Sequence, residues 1–144
     1  MSESRFPDLS ENHRRAISTA AVLLDEMLCE FEECARGRER RGVLYHERNR
    51  LTSRQRARLL AEIEQARVVL RELKEALDLQ AVEEDVRQRI WAAASTFWEV
   101  LVETETKRLR RYGEMPPGLA ECLDPRMEAL IERLQTLSSI AGGG

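Results

Sequence analysis

Residues 90–102 read Ile-Trp-Ala-Ala-Ala-Ser-Thr-Phe-Trp-Glu-Val-Leu-Val, and only Ser95, Thr96 and Glu99 in that run are polar. On a helix, at roughly 100° per residue, Ile90, Ala93, Phe97, Val100 and Leu101 fall together, and Trp91, Ala94, Trp98 and Val102 continue the same side. The apolar arc comes to about 200°, twice the stripe of an ordinary surface helix. A helix this apolar has to be covered on two sides. Either it is the central helix of a bundle, or one side meets a partner chain. Trp91 and Trp98 sit a heptad apart on one edge. Because tryptophan is enriched at interfaces, Trp91, Ala94, Trp98 and Val102 form the candidate oligomer interface. Packing inside a bundle core is the competing reading of the same residues.

Working outward, the preceding segment carries Leu59, Ile63, Ala66, Leu70, Leu73 and Leu77 at alternating steps of four and three. This predicts a second helix started by Thr52, with Gln55 at the capping-box position. A first helix is predicted from about residue 10. Its seam is Ile17, Ala20, Leu24, Met27, Phe31 and Cys34, widened by Ala21, Leu28 and Ala35. Asp8 or Ser10 caps it, and Gly37 or Gly42 ends it. Between these helices Val43, Leu44 and Tyr45 read as one buried turn. The boundary at 78–81 has no Gly or Pro, and two readings fit it. A tight turn lets a hairpin bury both seams, whereas a stutter in one long helix requires an intertwined partner.

The third helix is expected to run to Arg111 or Tyr112, where Gly113-Glu-Met-Pro-Pro-Gly118 stops it. Asp124-Pro125 then reads as a cap followed by Pro at the first helical position. This gives a last helix of about 16 residues with Met127, Leu130, Leu134 and Leu137 on its seam. The expected fold is therefore all-α: one domain over 1–144, an antiparallel up-down four-helix bundle with three long helices and one shorter C-terminal helix. Residues 1–9 form an N-terminal arm and 141–144 a flexible glycine tail.

Charge is unevenly placed. Arg36, Arg38, Arg40, Arg41, Arg48, Arg50, Arg54, Arg56 and Arg58 face only Glu39 and Glu47 across 36–58, nine cations against two anions, or +7. Lys107, Arg108, Arg110 and Arg111 add +4, while the chain as a whole is −3. An up-down bundle puts both segments at one end. Cations at helix C-termini complement the macrodipole, but Arg54, Arg56 and Arg58 fall in the first turns of a helix, where it disfavours them. These thirteen residues are the candidate site for an anionic partner, either nucleic-acid phosphates or an acidic protein face. A solvated end whose arginines find local glutamates is the alternative.

No phosphate-binding loop, dinucleotide fingerprint, nucleophile elbow or metalloprotease motif occurs. His13 and His46 are preceded three residues earlier by Ser10 and Val43, so neither belongs to a di-iron Glu-x-x-His pair. No catalytic residue, cofactor or metal site is expected. Cys29, Cys34 and Cys122 have no disulfide or zinc spacing and suit a reducing compartment. No apolar signal segment opens the chain, and its longest apolar run of about 13 residues is short of a span. The expectation is a cytoplasmic, non-enzymatic, Arg-rich helical module without membrane or metal. It works through a protein partner or a second copy, as a dimer for example, and binding of a nucleic-acid backbone is the alternative.

Overall fold

The structure, a computed structural model, describes residues 6–143. It is all-helical: α1 spans Glu11–Ala35, α2 Ser53–Leu77, α3 Val86–Val102, α4 Thr106–Leu109 and α5 Leu119–Ala141, with a 3-10 turn at Arg110–Tyr112. The chain divides after Val82 into two compact units. In the first, α1 packs on α2; in the second, α3 packs on α5. The antiparallel pairing is thus seen as two helical hairpins. Of the expected arm, residues 1–5 lie outside the described residues.

Local chemistry explains the boundaries of the first hairpin. Ser10 caps α1 by accepting from the His13 amide at 3.1 Å, which leaves Asp8 without that role. At its end Gly37 is left-handed at φ 99°, and the Arg38 amide reaches back to the Glu33 carbonyl at 3.0 Å. This is a Schellman closure. Thr52 and Gln55 complete the capping box of α2 with reciprocal bonds of 3.1 and 2.9 Å. α2 ends by a second Schellman closure without glycine. Asp78 takes φ 50°, the Leu79 amide bonds the Lys74 carbonyl at 2.9 Å, and the Leu79 side chain is buried. An acid tolerates that conformation because a short polar side chain bonds locally. Helix two therefore stops rather than stuttering. The connection to α3 is longer than a tight turn, with Glu83 and Glu84 before the helix and Asp85 as its cap.

The second hairpin departs further from expectation. The third helix breaks at 103–105 instead of continuing to Arg111. Asp124 accounts for the break: its carboxylate accepts from the Thr106 amide at 3.0 Å and the Thr106 hydroxyl at 2.7 Å, and Thr106 is buried. Asp124 is thereby not a cap. α5 starts at Leu119, after left-handed Gly118, and carries Pro125 inside it, so it has 23 residues and outlasts the 17 of α3. The glycine tail is also partly structural. Gly142 caps α5 beside Trp91, where an added Cβ would lie 3.3 Å from the indole. Gly144 lies outside the described residues.

The seam residues decide what each hairpin leaves open. Between α1 and α2 the buried residues are Leu28, Ala35 and Ile63, with Ile17 and Ala21 half-buried beside them. The expected seam of α1 lies one step round the helix: Ala20, Leu24, Met27 and Phe31 are exposed. In α5 the half-buried line is Leu123, Met127, Ile131, Leu134, Ser138 and Ala141, while Leu130 and Leu137 are exposed. The second-helix seam is the one that holds, with Ile63 buried and Leu59, Ala66, Leu70, Leu73 and Leu77 half-buried. A single neighbour covers only part of a wide apolar arc.

Candidate functional site

The connector 36–52 is built on a closed set of hydrogen bonds. Asn49 donates to the Cys34 carbonyl at 2.6 Å and the Arg38 carbonyl at 3.1 Å, which ties the connector to the end of α1. Arg41 and His46 form an antiparallel bridge, and the Gly42 amide donates to the Tyr45 carbonyl at 2.7 Å. Val43 and Leu44 are then the two residues of a hairpin tip. They are 92% and 96% exposed, so the expected buried turn is a presented one. Nothing in their apolar character signalled this. The residues that fix the connector are the polar ones around them, Glu47 and Asn49.

Glu47 is committed to structure. It accepts from the Arg40 amide at 2.9 Å and the Tyr45 hydroxyl at 2.8 Å, and lies 3.4 Å from the Arg38 guanidinium. Those two donors, the Arg40 amide first, hold its carboxyl below the usual range, while the same contact raises the Tyr45 phenol. Arg38 is held by Glu33 at 2.6 Å and Glu30 at 3.5 Å, and the Glu33 bond foremost raises its pKa. His46 beside it is exposed.

The arginines therefore sort into two groups. Arg36 pairs with Glu32 at 3.8 Å, Arg38 with its three glutamates, and Arg41 with Glu39 at 3.2 Å. Arg56 is half-buried, with its guanidinium beside Gly37 and its Nε buried without a partner among the described residues. Arg40, Arg48, Arg50, Arg54 and Arg58 are exposed and make no ion pair among the described residues. In the second unit Arg111 pairs with Glu103 at 3.1 Å and lies over the Tyr112 ring, whereas Lys107, Arg108 and Arg110 have no such pair among the described residues. The two basic segments thus belong to different units.

The tryptophan edge of α3 faces α5. Trp91, Ala94, Ser95 and Trp98 line a shallow groove with Gln135, Ser138, Ser139 and Gly142, and the Ser95 and Ser138 hydroxyls bond at 2.8 Å. Ala94 is buried and Val102 half-buried. Trp91 and Trp98 remain 44% and 40% exposed. The opposite half of the arc, Ile90, Phe97 and Val100, is open. Glu99 is exposed, so no buried carboxylate accompanies this apolar helix.

Comparison with known proteins adds no family: no family model, no curated protein and no solved structure matches the chain. Among the described residues no helix is long and apolar enough to cross a membrane, and no cluster of His, Cys, Asp or Glu is placed to hold a metal ion.

Proposed function

We propose that this chain is a non-enzymatic helical interaction module, working by self-association or as an adaptor. One observation carries the reading. In each hairpin the neighbouring helix covers one side of the apolar arc, and bulky apolar side chains on the other side stay outward: Leu24, Met27 and Phe31 on α1, and Ile90, Phe97 and Val100 on α3. Open apolar surface of this kind marks contact with another chain.

In this reading each hairpin supplies half of an antiparallel four-helix arrangement, and another hairpin supplies the rest. The half-exposed Trp91/Trp98 edge flanks that contact. The three free thiols suit the reducing cytoplasm. Sedimentation of the full chain across a hundredfold concentration range tests the proposal. A mass above the monomer that falls on dilution is expected, and Phe97→Ser should weaken it. A monomer at every concentration that also captures no apolar dye overturns it.

A second reading rests on Arg48, Arg50, Arg54 and Arg58, which are exposed and make no ion pair among the described residues. It is binding of a nucleic-acid backbone with little reading of sequence. Binding of RNA or DNA should weaken steeply with salt as counterions are released. Arg54→Glu/Arg58→Glu should abolish it, leaving half-buried Arg56 untouched. Absence of binding at low salt removes this reading.

A further inference from the structure

We infer that the tip of the connector docks on the open face of α1 in a second copy of this chain. This rests on the self-association reading above and names the surfaces that would carry it. The first surface is the Val43–Leu44 tip, two apolar residues exposed at 92% and 96%. They are presented rather than loose, because the Arg41–His46 bridge closes the hairpin beneath them and Asn49 fastens its base to α1. Exposed Arg40, Arg41 and Arg48 surround this tip in sequence. An apolar tip among cations calls for an apolar surface edged with acids.

The second surface is of that kind. On α1, Leu23, Met27 and Phe31 are 60%, 43% and 43% exposed and share one side of the helix. Glu26 and Glu30 run along the edge of that side and are exposed. Glu26 has no ion pair among the described residues, and Glu30 holds Arg38 only at 3.5 Å. The two surfaces are opposite in charge, and both contain more apolar area than their own hairpin covers. They lie on one helix and its following connector, so a two-fold axis lets each copy give its tip and receive the other's. Such an isologous contact closes at the dimer and leaves no further tip unsatisfied. Preorganisation of the tip keeps the entropic cost of docking low.

Charge exchange tests this on the full chain, with sedimentation equilibrium as the readout and circular dichroism as the check on folding. Arg41→Glu/Arg48→Glu alters the tip; Glu26→Arg/Glu30→Arg alters the receiving face. Each variant alone should raise the dimer dissociation constant about tenfold or more, the scale set by the loss of a few charged contacts. An equimolar mixture of the two should re-form a heterodimer, since each altered surface then meets its opposite. Val43→Ser/Leu44→Ser, at fully exposed positions, should weaken the dimer without loss of helicity. Association that is unchanged by all three variants overturns this contact and leaves the broader self-association reading standing. A wild-type chain that is monomeric throughout overturns both. Weakening by each charge variant without recovery in the mixture also overturns it, because the charges would then act elsewhere.

Discussion

The Asp124 carboxylate accepts two hydrogen bonds from a single residue, the Thr106 amide and the Thr106 hydroxyl. With the amide bond foremost, these hold its carboxyl below its ordinary 3.8. A carboxylate whose folded pKa is lowered adds stability that is complete above the unfolded value and is lost as pH falls through the folded one. Thr106→Val removes the hydroxyl donor and should cost on the order of 1 to 2 kcal/mol at neutral pH. Both tryptophans of the chain lie on α3, so denaturant unfolding followed by their fluorescence reports the second hairpin alone. The gap between wild type and variant should close when the pH is taken below 3.8. A gap that persists at pH 2 would show that the side chain acts by packing alone. Acid should likewise loosen the first unit, where Arg67 lowers Glu32 and the Arg40 amide lowers Glu47. Asp124 was legible as a polar residue before a proline, but its use was not. The Thr106 it meets is 18 residues away, and no spacing rule connects them.

Pro125 is the seventh residue of α5 and has no amide hydrogen to give the Glu121 carbonyl. Proline inside a helix costs up to about 3 kcal/mol relative to alanine. Pro125→Ala should therefore stabilise the second hairpin by about 1 to 3 kcal/mol, seen as a raised tryptophan-detected unfolding midpoint. A drop in the midpoint would show that Pro125 is needed to aim Asp124 at Thr106. At this scale the local signals split by kind. The Thr52/Gln55 box was readable because a cap uses residues three apart. The end of α2 at Asp78 was readable only as an interrupted seam, because the left-handed position that usually takes glycine is filled by an acid and closed by buried Leu79. The Asp124-Pro125 pair misled for the opposite reason: its local preference for a helix start yielded to a longer helix begun at Gly118.

For the molecule as a whole, the proposed self-association would link folding to association. If copies cover one another, the thermal midpoint must rise with protein concentration by mass action. A tenfold increase in concentration should move it upward by a measurable few degrees in a chain of this size. A midpoint independent of concentration, with a monomeric mass, contradicts self-association and leaves an unlike partner to cover these faces. Phosphate binding by Arg48, Arg50, Arg54 and Arg58 should weaken steeply as salt is added, by counterion release.

By itself the sequence determined the helical class, the cap at Thr52, the α2 seam and the crowding of arginines between 36 and 58; between Asp8 and Ser10 as the first cap the structure decided. Each of these follows from short-range periodicity or from composition. Tertiary structure alone decided which side of each helix is covered, that Val43 and Leu44 are presented, and that Ala94 turns inward while Ile90, Phe97 and Val100 stay open. Periodicity shows how wide an apolar arc is. Which part of it meets a neighbour depends on how the facing helices pack: Ile17, Ala21, Leu28 and Ala35 meet α2 and Ala94 meets α5, while equally apolar residues beside them stay open.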